Sequence, residues 1–231
     1  MGRKLRVLTY NIMLAKKLKN LKVRKTFYEE LQKIDADVMA FQEFPGRGYF
    51  YKSFVREVFH RSYFHIHETF THKNKQTQNN VLVFKKPILE RKAFDLSVEG
   101  FQKRYYLEAM TQFDQNQLRF GNLHLGLKES ERNYQIDQLM NFLHHHLDIP
   151  LILLGDFNDW KERLELKTHP QSQALEVFSA QKFKTFPSLF PLFSLDRVYF
   201  TKLKLIDIQR PYIKVFRRFS DHLPLVADFE I

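Results

Sequence analysis

The chain has 231 residues, no cysteine, 24 phenylalanines and 44% hydrophobic residues. A chain this long is expected to fold as one domain, residues 1–231, that buries roughly 70–75% of its unfolded surface without disulfides, which fits a reducing compartment. Lys and Arg outnumber Asp and Glu by 37 to 26, a formal charge of +11, so the surface attracts phosphate-bearing partners.

Residues 5–10 alternate as a strand and deliver Asn11. Val23, Phe27, Leu31 and Ile34 recur at helical spacing and mark an amphipathic helix. Residues 38–41 form the next strand and deliver Glu43. Tyr51, Phe54, Val55, Val58 and Phe59 fit a short helix. Residues 64–69 and 81–84 read as strands flanking a polar loop at 71–78, and residues 105–113 as a longer strand. Residues 118–123 then deliver His124. Ile136, Leu139, Leu143 and Leu147 mark a helix, and residues 151–154 deliver Asp156. Strands at 197–201, 203–208 and 225–230 complete the chain.

The pattern strand, helix, strand thus occurs twice, each strand ending in a polar side chain. Strands joined by a helix run parallel and share a carboxyl edge, where ligands bind in open α/β sheets. Many strands with few helices predict two sheets packed face to face with helices outside. The first six residues lack an apolar run of signal-peptide length, Arg6 breaks the myristoylation pattern, and no segment approaches the ~20 apolar residues of a membrane span. A cytoplasmic protein is expected, with peripheral membrane attachment as the alternative.

Cations cluster at Lys16, Lys17, Lys19, Lys22, Arg24 and Lys25, read equally as solvated surface or as function. Arg210, Lys214, Arg217 and Arg218 precede Asp221 and are read as facing substrate. His144, His145 and His146 are consecutive on a helix and cannot all reach one ion. Trp160 is read as a packing residue. Arg132 and Gln135 are expected to brace the loop after His124.

Leu8-Thr9-Tyr10-Asn11-Ile12, Phe41-Gln42-Glu43, Asn122-Leu123-His124-Leu125, Gly155-Asp156-Phe157-Asn158, Leu195-Asp196-Arg197-Val198 and Ser220-Asp221-His222-Leu223-Pro224, in that order, resemble the endonuclease/exonuclease/phosphatase superfamily, and in particular its small bacterial branch. The resemblance implies a four-layer α/β/β/α sandwich with two mixed sheets, and metal-dependent hydrolysis of phosphoesters. It implies Mg²⁺, with Mn²⁺ as a substitute, held principally by Glu43, with Asn11 nearby and Asp221 contributing directly or through water. By the same likeness Asp156 orients or deprotonates water, and Asn158 donates to a phosphoryl oxygen. His222, held by Asp196, faces the phosphate, and His124 is a second phosphate contact or acid. Arg104, and more remotely Asn80, are carried over as phosphate contacts.

Singly, each residue has a plainer reading. Asp156 and Asn158 build turns, Asp196 pairs with Arg197, and His124 is a core histidine. The positive charge favours nucleic acid. The aromatic stretch Phe186-Pro187-Ser188-Leu189-Phe190-Pro191-Leu192-Phe193 leaves an anionic phospholipid or inositol-phosphate substrate as the alternative, although Phe186 and Phe190 are read first as covering the core. A catalytically inactive binding module is the third reading. A monomer is expected.

Overall fold

The computed structural model describes residues 3–13, 21–45, 49–54, 56, 64–71, 77–144, 148–162, 176–177 and 183–231. Among these, in chain order, are β1 (Lys4–Asn11), α1 (Leu21–Ile34), β2 (Val38–Pro45), α2 (Tyr49–Phe54), β3 (Phe64–Thr71), β4 (Thr77–Phe84), β5 (Ile88–Asp95) and β6 (Tyr105–Phe113). There follow β7 (Asn116–His124), α3 (Glu129–His144), β8 (Leu151–Asp156), β9 (Glu176–Val177), β10 (Asp196–Phe200), β11 (Lys204–Gln209), α4 (Phe216–Phe219) and β12 (Leu225–Glu230). One sheet has the order β11-β12-β1-β2-β4-β3 and the other β5-β6-β7-β8-β10-β9. Both strand–helix–strand units are parallel, β1 with β2 and β7 with β8, but each lies in its own sheet.

Strand alternation sorts the apolar side chains into three layers. Leu5, Val7, Val38 and Ala40 of one sheet meet Phe120, Ile152, Leu154 and Val198 of the other between the sheets. The opposite faces of β1 and β2, through Leu8, Tyr10, Met39 and Phe41, pack on Phe27 and Leu31 of α1 and on Phe216 and Phe219 of α4. The outer face of the second sheet, through Tyr106, Leu123, Leu151 and Leu153, packs on Ile136, Leu139, Met140 and Leu143 of α3. Three cores between four layers make the α/β/β/α sandwich.

Phe27 is the centre of an aromatic cluster. Its ring stacks on Phe219 at 3.9 Å and meets Phe216 edge-on at 5.8 Å, so α1 and α4 are held to one sheet by the same residue. Truncation leaves a cavity that these rings cannot collapse into. Phe27→Ala should cost about 3–5 kcal/mol, read as a lower urea midpoint; an unchanged midpoint would contradict this packing.

The elements depart from expectation in several places, with β9 and α4 unanticipated and β2 running on to Pro45. β5 goes unanticipated because it is an edge strand whose residues are mostly exposed, so no apolar alternation marks it. β3 runs to Thr71 and β4 starts at Thr77, so part of the expected loop at 71–78 is ladder. The short helix stops, in what is described, at Phe54. Lys16, Lys17, Lys19, Val55, Val58, Phe59, His145, His146 and Leu147 lie outside the described residues. Among the described residues no helix is long and apolar enough to cross a membrane.

Candidate active site

Between the sheets, each strand changes character toward one end. Reading β1 by twos gives Leu5, Val7, Thr9, Asn11; β2 gives Val38, Ala40, Gln42; β7 gives Leu118, Phe120, Asn122, His124; β8 gives Ile152, Leu154, Asp156. The apolar middle layer therefore becomes polar at one rim. Pairing register aligns the rim. His124 stands opposite Asp156, Asp196 opposite Asp156, and Asn11 opposite Gln42. Thr9 pairs with Leu225, which carries residues 221–224 alongside the end of β1.

Two backbone devices aim the side chains. The β2–β4 ladder slips between Phe41 and Phe44, and Glu43 within that bulge has φ +52°. Bulges re-aim side chains, and a non-glycine residue at positive φ is strained. Where the ladder breaks, the amide of Asn122 donates to the carbonyls of Phe41 and Val81 at 3.0 and 2.9 Å, from the opposite sheet. Gln42 Nε2 donates to Asn122 Oδ1 at 2.8 Å and to Thr9 Oγ1 at 3.1 Å. On β8, Gly155 has φ +153°, and a Cβ there would sit 2.1 Å from the Leu123 carbonyl oxygen. Glycine is what allows β8 to press against β7 one residue before Asp156.

The rim is a set of short polar contacts. Asn11 Nδ2 donates to Asp156 Oδ2 at 3.0 Å and lies 3.5 Å from Glu43 Oε1, so it bridges carboxylates from both sheets. His124 Nε2 is 3.6 Å from Asp156 Oδ2 and 4.0 Å from Glu43 Oε1. His222 Nε2 is likewise 3.6 Å from Asp156 Oδ2, and its Nδ1 is 2.8 Å from Asp196 Oδ2. Thr185 donates to the same Asp196 oxygen at 2.5 Å. Phe186 lies against the His222 ring at 5.0 Å between centroids. Asp221 is half-buried beside them, with Ser220 Oγ 3.4 Å from its Oδ1.

Burial and charge set the protonation states. Burial raises Asp156 to about 6, while the His222 cation and the hydrogen bonds from Asn11 and Asn158 hold it down. Burial pulls His222 down, but Asp196 and Asp156 outweigh it and raise the imidazole to about 10. At neutral pH the rim holds an ionised Asp156 facing a protonated His222.

Nearly all the residues expected at the site converge, but several are engaged differently than expected. Asn11 turns its amide nitrogen to the carboxylates, which suits spacing them better than ligating. Asn158, at φ +50°, donates one amide hydrogen to the Leu125 carbonyl at 2.9 Å. Its backbone N–H caps Asp156 Oδ1 at 2.9 Å, so the turn reading and the site reading both apply. Arg104 is 3% exposed, with Nη1 3.0 Å from His124 Nδ1, where it meets an imidazole rather than an open phosphate site. Asn80 donates to the Tyr105 carbonyl at 2.8 Å. Asp196 does not pair with Arg197; that guanidinium goes to Asp159 at 2.7 Å. Arg132 and Gln135 do brace the loop after His124, through the Gly126 and Leu127 carbonyls and the Gly126 N–H. Trp160 packs on Phe186 and Phe193. Phe190 does not cover the core, for it is 77% exposed: the loop bonds Ser188 to Asp221 and Ser220, and its tip faces outward. Arg210 and Arg217 sit on the Tyr212 ring, at 5.8 and 4.9 Å from its centroid.

Thr9, Gln42, Asn122 and Thr185 were missed. Thr9 and Asn122 carry a signal in the sequence, a polar residue two places before a flagged one on the same strand face, and Gln42 directly precedes Glu43. Thr185 carries none, since it reaches Asp196 from a loop.

The sequence pattern of the Endonuclease/Exonuclease/phosphatase family matches residues 8–222. The uncharacterized protein YbhP of Escherichia coli K12 is 29% identical over 158 residues, 66% of this chain and 62% of YbhP, so the match spans less than two thirds of that relative. Among solved structures, the endonuclease/exonuclease/phosphatase from Bacteroides vulgatus is similar with a TM-score of 0.78 at 18% identity, covering 99% of each chain. The human Nocturnin catalytic domain with bound sulfate gives 0.76 at 18%, covering 98% of this chain and 93% of that one. D. rerio TDP2 complexed with a single strand DNA product gives 0.77 at 15%, covering 99% of each. These structures share the fold. With its sequence pattern, its sandwich and its polar rim all of one kind, the chain belongs to the Endonuclease/Exonuclease/phosphatase family.

Proposed function

We propose that the rim hydrolyses phosphoester bonds with a divalent cation, and that the substrate is a phosphodiester of nucleic acid. The observation that carries this reading is the Asn11 bridge, which gathers Glu43 and Asp156 from separate sheets beside His124 and His222. A structural role for these groups would pair the carboxylates with Lys or Arg at the surface. Among the described contacts they meet two imidazoles and the Asn11 amide.

The donor set fits Mg²⁺, or Mn²⁺ in its place. Glu43 offers a carboxylate at the rim, 14% exposed in its side chain, and hard oxygen ligands suit such cations. Asp156, Asp196 and His222 also lie within ligating distance of one another. They fit a cation less well, because a protonated His222 hydrogen-bonded to Asp196 has no lone pair to give. Glu43 and Asp221 would hold the cation, with Asn11 spacing Glu43 from Asp156. A cation there shields phosphoryl oxygens and acidifies a bound water.

The chain's own groups supply the rest. Asp156, ionised above about pH 6, accepts the proton of the attacking water. Its burial makes it a stronger base than a surface carboxylate. His222, charged and locked by Asp196, pairs with the phosphate as charge develops. Asn158, with its second amide hydrogen, and His124 donate to phosphoryl oxygens. Support for an anionic polymer comes from the +11 charge and from the oxyanions, sulfate and a DNA product, that accompany two similar structures.

The decisive experiment is a substrate panel with Mg²⁺ or Mn²⁺, with and without chelator: plasmid, single-stranded oligonucleotide, abasic duplex, phospholipids and inositol phosphates. Chelator-sensitive cleavage of a nucleic acid is expected. Turnover of lipid alone would move the substrate class, and no turnover by folded protein would favour a binding module. For an Asp156→Asn variant that binds without cleaving, oligonucleotide affinity should fall about tenfold or more between roughly 50 and 200 mM salt. A flat dependence, measured by fluorescence anisotropy, would contradict phosphate contacts by the Lys and Arg excess.

A further inference from the structure

The two rim histidines have opposite partners. His222 Nδ1 faces a carboxylate, Asp196 Oδ2 at 2.8 Å, and there it must donate. His124 Nδ1 faces a guanidinium, Arg104 Nη1 at 3.0 Å. Arginine has five N–H donors, no acceptor, and does not deprotonate in proteins. The nitrogen it meets can only accept, so that nitrogen carries no hydrogen.

We infer that Arg104 is a positioning residue that fixes His124 as the Nε2–H tautomer, making His124 a neutral hydrogen-bond donor toward the cleft and leaving His222 as its charged counterpart. The remaining contacts agree. His124 Nε2 points at two carboxylates, Asp156 at 3.6 Å and Glu43 at 4.0 Å, both of which favour a hydrogen on that nitrogen. Flipping the ring would set a C–H against the Arg104 donor and turn Nε2 away from both acids, so the hydrogen-bond pattern selects the present orientation.

The construction of Arg104 is costly enough to need a purpose. It is buried, and burial lowers its pKa against the opposing pull of Glu43, Asp156 and Glu131. Among the described residues, Nη2 meets the Gln102 amide oxygen at 3.3 Å and Nε has no hydrogen-bond partner. Its backbone is pinned on both sides, with its N–H donating to Ser97 Oγ at 3.1 Å and its carbonyl accepting from Leu96 at 2.9 Å. A buried guanidinium normally takes a carboxylate in a bidentate fork. One spent on an imidazole instead controls that imidazole.

The kinetic consequence rests on the hydrolase reading; the tautomer does not. A neutral donor strengthens its bond to a phosphoryl oxygen as negative charge grows, and transfers no proton. The histidines then divide the work, His222 by charge and His124 by a directed N–H.

Nitrogen-15 NMR of the metal-free protein at neutral pH reads the tautomer directly, with the His124 signals assigned by their loss in His124→Gln. The parent should show an unprotonated Nδ1 and a protonated Nε2 at His124, and Arg104→Met should abolish that pattern. A hydrogen on His124 Nδ1 in the parent, alone or together with Nε2, would overturn the inference, as would an unchanged pattern in Arg104→Met. For hydrolysis of a generic phosphodiester, His124→Gln places an amide N–H near the Nε2 position and should stay within about tenfold of the parent kcat/KM, while His124→Ala should lose about a hundredfold or more. Equal losses would overturn the donor role. An inactive parent would sink the hydrolase reading and leave the NMR result to decide the tautomer.

Discussion

Asp156→Asn should lower kcat by about 10²–10⁴-fold while changing substrate affinity little, because an amide keeps the shape and the hydrogen bond from Asn11 but cannot take a proton. The carboxylate it replaces is the most connected group of the rim, touched by Asn11, His124, His222 and the Asn158 N–H. The parent has a second signature. Burial lifts Asp156 to about 6, so the base form is lost as pH falls through that value. The parent rate should therefore rise with pH up to about 6, and this acidic limb should be missing from the residual activity of Asp156→Asn. Equal kcat in parent and variant would remove Asp156 from the chemistry. A matched loss in affinity, measured with a non-hydrolysable phosphodiester, would make it a binding group.

Glu43→Gln should weaken Mg²⁺ binding by at least about 10–100-fold, the range that even outer partners of a metal site command. Raising the metal concentration should restore part of the activity. Isothermal calorimetry with metal alone separates this from general damage, and thermal unfolding of the variant should stay near that of the parent. The bulged conformation favours this outcome. Glu43 occupies φ +52° at a break in the ladder, a placement that aims its side chain at the cleft at a cost in strain. Unchanged Mg²⁺ binding by Glu43→Gln would shift the cation to Asp156 and Asp221.

Much of the fold is legible in the sequence because its central strands obey simple patterns. β7 and β8 are apolar runs that end at His124 and Asp156, and α1 and α3 show helical spacing. The likeness of the motifs to the family likewise implies that Glu43, Asp156 and His222 share one site. What stays hidden depends on distance across the sandwich. β5 is charged, exposed and without alternation, so only its partner β6 makes it a strand. Asp196 and Arg197 are neighbours in sequence yet point to different partners, because adjacent strand residues face opposite sides of a sheet. Arg104 resembles a phosphate contact in sequence, and nothing in the sequence signals its contact with His124. Phe190 reads as core by composition, but the loop that carries it is tied down at Ser188 and leaves the tip outside.

Asn122 reaches across from one sheet to grip two strands of the other. Behind the Asn11 contact that spaces Glu43 from Asp156, the two sheets are thus tied together by a side chain of the interior. Variation in the surrounding loops can reshape the mouth of the cleft while the rim carboxylates keep their spacing. Conversely, an apolar replacement such as Asn122→Leu would loosen the jaws of the vice without altering a single tooth.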